Sequence, residues 1–170
     1  NDLEYVKTHM THLEMTDAKG KSLLHYAVMG SAMDVFDYLL SFDISVNLID
    51  HYGETPLFEC ARKGKLAIAK RLISKFARVN IENKAKELPL HIACAKGHID
   101  IVRLLIESGS FTNKKTVEDK LPVHYAILGG HPDHLDYILK ESQQSWDLKD
   151  SSGNTLLHYA AKTSNLRTIS

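Results

Sequence analysis

The chain has 170 residues, 44% of them hydrophobic and 25% charged, which is the balance of a folded, water-soluble polypeptide. Lys and Arg total 21 and so do Asp and Glu, so the net charge is zero: no global field argues for nucleic acid, and any basic surface must be local. No apolar run approaches the ~18 residues of a membrane span and no charged-then-apolar leader opens the sequence, so a protein neither membrane-spanning nor secreted by an obvious signal is expected.

Residues 1–16 space Leu3, Val6, Met10 and Leu13 as one face of a helix. Their opening resembles the start of later second helices, such as His98-Ile99-Asp100-Ile101-Val102, so the chain is expected to begin inside a repeat. From Asp17 onward the sequence returns on itself. His25, Phe58, His91, His124 and His158 mark the same place in successive units, at steps of 33 (58−25), 33 (91−58), 33 (124−91) and 34 (158−124). A period of that size implies stacked units rather than one central core.

The first complete unit, 17–49, opens with a tight turn at Asp17 to Gly20, then Ser22 as a helix cap, and carries a second helix over Met33 to Phe42. The second, 50–82, has the cleanest local grammar. Thr55 is placed to cap, Pro56 sits at the first helical position where its missing N–H costs nothing, and Gly64 ends the helix in a left-handed conformation. Leu66, Ile68, Ala69, Leu72 and Ile73 form the returning helix. In the third unit, 83–115, Lys86 replaces the turn glycine and Leu88 the capping hydroxyl. A less regular finger is expected there, with a helix start weaker by about 1 kcal/mol. Its second helix, Ile99 to Ile106, is apolar around most of its circumference, as for a helix buried by neighbours on both sides. Leu104→Asp should therefore unfold the central units.

The fourth unit, 116–149, has Asp119 in place of the turn glycine and one extra residue in the Ser142 to Trp146 loop, under which Trp146 is expected to pack. Residues 150–170 restart the pattern and stop where a second helix would begin. Cys60 and Cys94 occupy nearly equivalent places in adjacent units. Helices packed side by side sit roughly 8–10 Å apart, too far for a disulfide, so both read as small buried thiols, consistent with an intracellular, cytoplasmic protein.

The pattern Asp-x-x-Gly-x-Thr-Pro-Leu-His-x-Ala at a 33-residue period resembles the ankyrin repeat, and Asp50 to Ala61 follows it apart from Phe58 at the His position. The likeness covers nearly the whole chain. It implies one array over 1–170, an all-α repeat solenoid of stacked helix-turn-helix units with short β-hairpin fingers. It also implies a concave working surface built from the finger tips and the exposed face of each first helix. Carried over unit by unit, the contact positions are Lys19, Lys21 and Met29, then His51, Tyr52, Glu54, Arg62 and Lys63. The third unit adds Lys84, Glu87, Ala95 and Lys96, and the fourth Glu118, Lys120 and Leu128.

His25, His91, His124 and His158 lie in different repeats and cannot converge on one ion, and Phe58 in the same column argues for rings that bridge fingers and helices by hydrogen bonds. His131-Pro-Asp-His134 has ligand-like residue types, but His131 matches His98 in a Gly-His step, so no metal is expected. No nucleophile elbow or phosphate-cradling loop is present and neither cysteine has an activating partner in its own unit. The expectation is a non-enzymatic, monomeric protein-interaction module without a cofactor. Arg62, Lys63 and Lys96 should line up as a positive stripe beside Tyr52 and bind an acidic, extended protein segment. Two other readings stay open: the targeting region of a larger enzyme or effector, and a nucleotide or oligonucleotide bound on the stripe, although nucleic acid is not the expected partner.

Overall fold

A computed structural model describes residue 4, residue 13, residues 15–131 and residues 134–163. The helical expectations for 1–16 and 166–170 lie almost wholly outside these residues. Nine helices are present among them: α1 Leu23–Gly30, α2 Met33–Leu40, α3 Pro56–Lys63, α4 Leu66–Ser74, α5 Pro89–Lys96, α6 Ile99–Glu107, α7 Pro122–Leu128, α8 Leu135–Ser142 and α9 Leu156–Lys162. Each odd-numbered helix packs against its even successor and also against the next odd one, so α1, α3, α5, α7 and α9 form one inner layer. Helices of seven to nine residues cannot stand alone in water; their stability comes from this stacking.

The described chain is an all-α repeat stack with one continuous apolar seam. Leu24, Val28, Leu57, Ala61, Leu90, Cys94, Val123 and Ile127 bury the inner layer, and Phe36, Leu39, Leu72, Val102, Leu105 and Ile138 join it to the outer helices. On α6 the fully buried stripe is Ile101, Val102 and Leu105, while Ile99, Leu104 and Ile106 are only half-buried. Leu105, not Leu104, is therefore the residue at which a charge is worst placed.

The fingers are turns rather than ladders. Among the described residues the only strand-type pairings are isolated antiparallel bridges, Thr16 with Ser22 and Lys149 with Thr155. Each finger is closed by its own first residue: Asp50 N–H donates to Glu54 O at 2.9 Å, and the Asp50 carboxylate accepts from the N–H of Tyr52 and Glu54. The arms are too short for consecutive ladder pairs. Neighbouring fingers are linked by single bonds, His51 N–H to Lys19 O at 2.8 Å and Lys84 N–H to Tyr52 O at 2.9 Å.

The third finger is as regular as the second, contrary to expectation. Lys86 adopts φ 58°, the conformation of Gly53 at φ 78°, and Asn83 N–H still donates to Glu87 O at 3.0 Å. The neighbouring fingers impose the geometry, and the lysine bears the strain.

The recurrent imidazoles replace conventional caps. His25, His91, His124 and His158 each accept, at Nδ1, the backbone N–H of Ser22, Leu88, Leu121 and Thr155, at 2.9–3.1 Å. Nδ1 is thereby an acceptor, so the proton sits on Nε2. From there His25 donates to Glu54 O at 2.9 Å, across to the next unit, and His91 to Lys114 O at 3.0 Å, at the end of its own unit. Thr55 stands at the N-cap position of α3 as expected, but its hydroxyl makes no cap bond among the described residues, and Phe58 offers it no ring nitrogen to donate to.

Candidate functional site

The finger and inner-helix positions separate into two groups. The first is committed to a polar network that runs through four units. Lys21 Nζ lies 2.8 Å from Asp50 Oδ2 and 3.7 Å from Glu59 Oε1. Arg62 bonds Glu59 at 2.9 Å through one nitrogen and both oxygens of Glu54 at 2.8 Å through the other. Asn83 Nδ2 then reaches Glu54 at 3.4 Å and Glu87 at 2.7 Å, and the Tyr125 hydroxyl donates to Glu87 at 2.7 Å.

The charges in this network are buried enough to feel one another. Asp50, Glu54 and Glu59 are buried residues, whereas Arg62 keeps about a third of its side chain in solvent. Burial raises the Asp50 pKa, but the Lys21 ammonium and the N–H groups of Glu54 and Tyr52 outweigh it and hold the carboxyl below its ordinary value. Burial likewise disfavours charge on Lys21 and Arg62; Asp50 for the first and Glu54 for the second reverse the balance and raise both. Within the cluster the two cations Lys21 and Arg62 meet the three carboxylates Asp50, Glu54 and Glu59.

Arg62 is thus held by Glu54 and Glu59, while Lys63 and Lys96 next along the inner helices are exposed. Glu59 and Asp50 did not figure among the contact positions. The available signal was the Glu59 to Arg62 spacing of three on a helix, and Glu59 standing in the column of Tyr26, Tyr125 and Tyr159.

The second group has no ion pair or side-chain bond among the described residues apart from Glu118 with Lys120. His51, Lys63, Lys84 and Lys96 are exposed, and Tyr52, 60% exposed, stands at a finger tip joined to Lys84 through the backbone. Lys19 is exposed and bonds only through its backbone, its N–H to Asp17 at 2.9 Å. On the inner helices Met29 and Ala95 are half-buried and Leu128 is exposed. Glu118 and Lys120 bond each other at the fourth finger.

The reactive residue types are quenched by their surroundings. Burial pushes the Cys60 thiol up to about 12 and raises that of Cys94 as well, so both are protonated. Burial lowers the imidazoles of His25 and His124, and takes His91 to about 4. No group of three or more His, Cys, Asp or Glu among the described residues is arranged to hold a metal. No helix among them is long and apolar enough to cross a membrane.

The described repeat of short helix pairs defines the class, and comparison with known families places the chain within it. The family model for ankyrin repeats (3 copies) matches residues 1–83, 60–150 and 90–170, and the chain belongs to the ankyrin repeat family. It is similar to the ankyrin repeat protein nuc-2 of Neurospora crassa, 38% identical over 76 residues. It is also similar to the ADP-ribosylation factor GTPase-activating protein AGD2 of Arabidopsis thaliana, 37% identical over 59 residues. These matches take in 44% and 35% of this chain but only 7% and 8% of the respective relatives. Ankyrin repeats are generally protein–protein interaction modules, and the family is typically non-enzymatic.

Proposed function

We propose that this chain is a single ankyrin array, with units opening at residues 17, 50, 83, 116 and 150, that binds a protein partner on its finger and inner-helix face and has no enzymatic activity. The observation that supports it is the division of that face. Turn, cap and network positions are consumed by internal bonds, while Tyr52, His51, Lys84, Lys63, Lys96, Met29 and Leu128 carry no internal duty. A partner can be read only by residues the fold does not use.

The partner chemistry is an acidic, extended segment engaging Lys63, Lys84 and Lys96 beside Tyr52. Arg62 contributes by position rather than by free charge, because Glu54 and Glu59 already hold it. Lys19, Ala95, Glu118 and Lys120 form the margin of the face. The protein works as a monomer in the cytoplasm without a cofactor. Because the matched segments fill under a tenth of each relative, a second reading is that the array delivers a larger protein to its target.

The test is affinity capture with the wild type beside a Tyr52→Ala, Lys63→Glu, Lys96→Glu variant, followed by binding measurements on whatever is lost. Loss of one protein with thermal stability unchanged supports the reading. An unchanged set of bound proteins refutes it, and capture abolished by nuclease treatment would favour an oligonucleotide instead.

A further inference from the structure

The loop that joins the outer helix α4 to the third finger holds an aromatic that the fold does not need. Phe76 is 86% exposed and sits at φ 64°, in the left-handed region that favours glycine. Four residues before Asn113 the next unit has Gly109 at φ 86°; four residues before Asn80 this unit has Phe76. Folding alone would favour glycine at both places.

The backbone that carries the aromatic is also held in place. The Asn47 side chain donates to Phe76 O at 3.2 Å and accepts the Arg78 N–H at 2.8 Å, clamping the backbone on both sides of the ring. The next loop repeats the device, with Asn80 donating to Gly109 O and accepting the Phe111 N–H, both at 2.9 Å, and Phe111 is 56% exposed. A loop whose backbone is already ordered loses less freedom on binding.

Charge and shape around Phe76 are as uneven as its conformation. Between Glu59 and Glu82 the sequence has Arg62, Lys63, Lys65, Lys70, Arg71, Lys75 and Arg78 and no acidic residue, in a chain whose charges balance. Arg71 pairs with Asp37, whereas Lys70, Lys75 and Arg78 are exposed and make no ion pair among the described residues. Open clefts flank this loop: one, of about 380 Å³, is lined by Asp37, Leu40, Arg71, Ser74 and Lys75, the other, of about 460 Å³, by Ile73, Ala77, Arg78 and Val79, and Phe76 falls between their lining residues in sequence.

We infer that the Phe76 loop is a second docking surface, separate from the finger and inner-helix face, for a short acidic protein segment carrying an apolar side chain. Its acidic groups meet Lys70, Lys75 and Arg78, and its apolar side chain packs against the exposed ring of Phe76. Asp43 in the loop before and Glu82 and Glu107 beyond confine the positive region to about one repeat, which suits a short segment better than a lipid surface.

The experiment titrates the whole chain against fluorescein-labelled peptides in which Asp and Glu flank a single Phe. Controls carry Lys for the acids or Ser for the Phe, and phosphatidylserine-containing vesicles and a labelled single-stranded oligonucleotide run in parallel. The acidic Phe peptide should bind saturably, and Phe76→Gly should weaken it by about tenfold, the scale of a hot-spot residue, without lowering the thermal midpoint. Lys75→Glu with Arg78→Glu should abolish binding, and Tyr52→Ala with Lys96→Glu should leave it unchanged. Absence of saturation, equal binding by Phe76→Gly, or loss through the Tyr52 and Lys96 changes instead would each overturn the inference. So would Phe76-dependent binding of the vesicles or the oligonucleotide without binding of the peptide.

Discussion

Thr55 and Phe58 stand in the register of Ser22 and His25 and of Thr155 and His158, yet they make none of the side-chain bonds those pairs make. The Ser22 and Thr155 hydroxyls lie 2.8 Å from an imidazole Nδ1, whereas the buried Thr55 hydroxyl has no partner among the described residues. A buried hydroxyl without a partner is a cost rather than a cap. Thr55→Val, which keeps the shape, should leave stability unchanged or raise it by up to about 1 kcal/mol, and Ser22→Ala should lower it by about 1 kcal/mol. Urea unfolding of the two variants checks this, and a loss at Thr55→Val as large as at Ser22→Ala would sink the account.

Two equivalent glycines should respond in opposite directions. Gly30 and Gly129 are three periods apart, since 129−30 is 99. A Cβ on Gly30 meets nothing within 4 Å, but one on Gly129 would lie 2.2 Å from the carbonyl oxygen of Ala95. Gly30→Ala should gain about 0.5–1 kcal/mol from helix preference alone. Gly129→Ala should lose about 1–3 kcal/mol, because the obstruction is backbone and cannot swing aside. Thermal melts with opposite shifts are the expected result.

Left-handed residues offer a gain where their side chains do no work. Ser31 at φ 55° and Lys86 at φ 58° occupy the places of Gly64 and Gly53 in the following and preceding units, and both are exposed. Ser31→Gly and Lys86→Gly should each stabilise by roughly 0.5 kcal/mol, the left-handed cost exceeding the entropy that glycine adds to the unfolded chain. Denaturant midpoints that fall in both variants would refute this.

The Arg62 network predicts a structural phenotype at a candidate contact position. Arg62→Ala leaves the buried Glu54 and Glu59 without their guanidinium and should cost about 1–2 kcal/mol, a figure discounted for the solvent that reaches Arg62. Lys63→Ala should cost almost nothing, since Lys63 is exposed and makes no ion pair among the described residues. Equal melting temperatures in the two variants would show that the network contributes little.

Stability should fall on mild acidification, before the carboxylates titrate. Burial holds His91 at about 4, below the ~6.5 of an unfolded histidine, so between these values the unfolded chain binds the extra proton. The contribution is fully present above pH ~6.5 and is lost as pH falls toward 4; between pH 7.5 and 5.5 it amounts to about 1 kcal/mol from His91, with His25 and His124 adding in the same direction. Urea midpoints measured at the two pH values should show the fall, and a flat profile would mean the imidazoles are not neutral in the fold.

Much of the architecture was legible because repeats are local grammar. The spacing of His25, His91, His124 and His158, Pro56 opening a helix and Gly64 at φ 69° closing it are short-range facts that tertiary contacts only reinforce. The contact face was less legible, since a residue type says nothing of whether its charge is already satisfied. Arg62 looked like a free cation until Glu54 and Glu59 were found around it. Trp146 was expected to pack under its loop and is 37% exposed there.

By itself the sequence determined the period and the helix starts and stops, because these follow from backbone sterics and local spacing within a single unit. Only the stacked structure decided that α6 hides Leu105 rather than Leu104, that Gly129 faces the Ala95 carbonyl while Gly30 faces open space, and that Phe76 stands out in solvent. Those outcomes depend on how neighbouring slabs sit against each other over distances of a few ångströms, and no spacing within one slab encodes that.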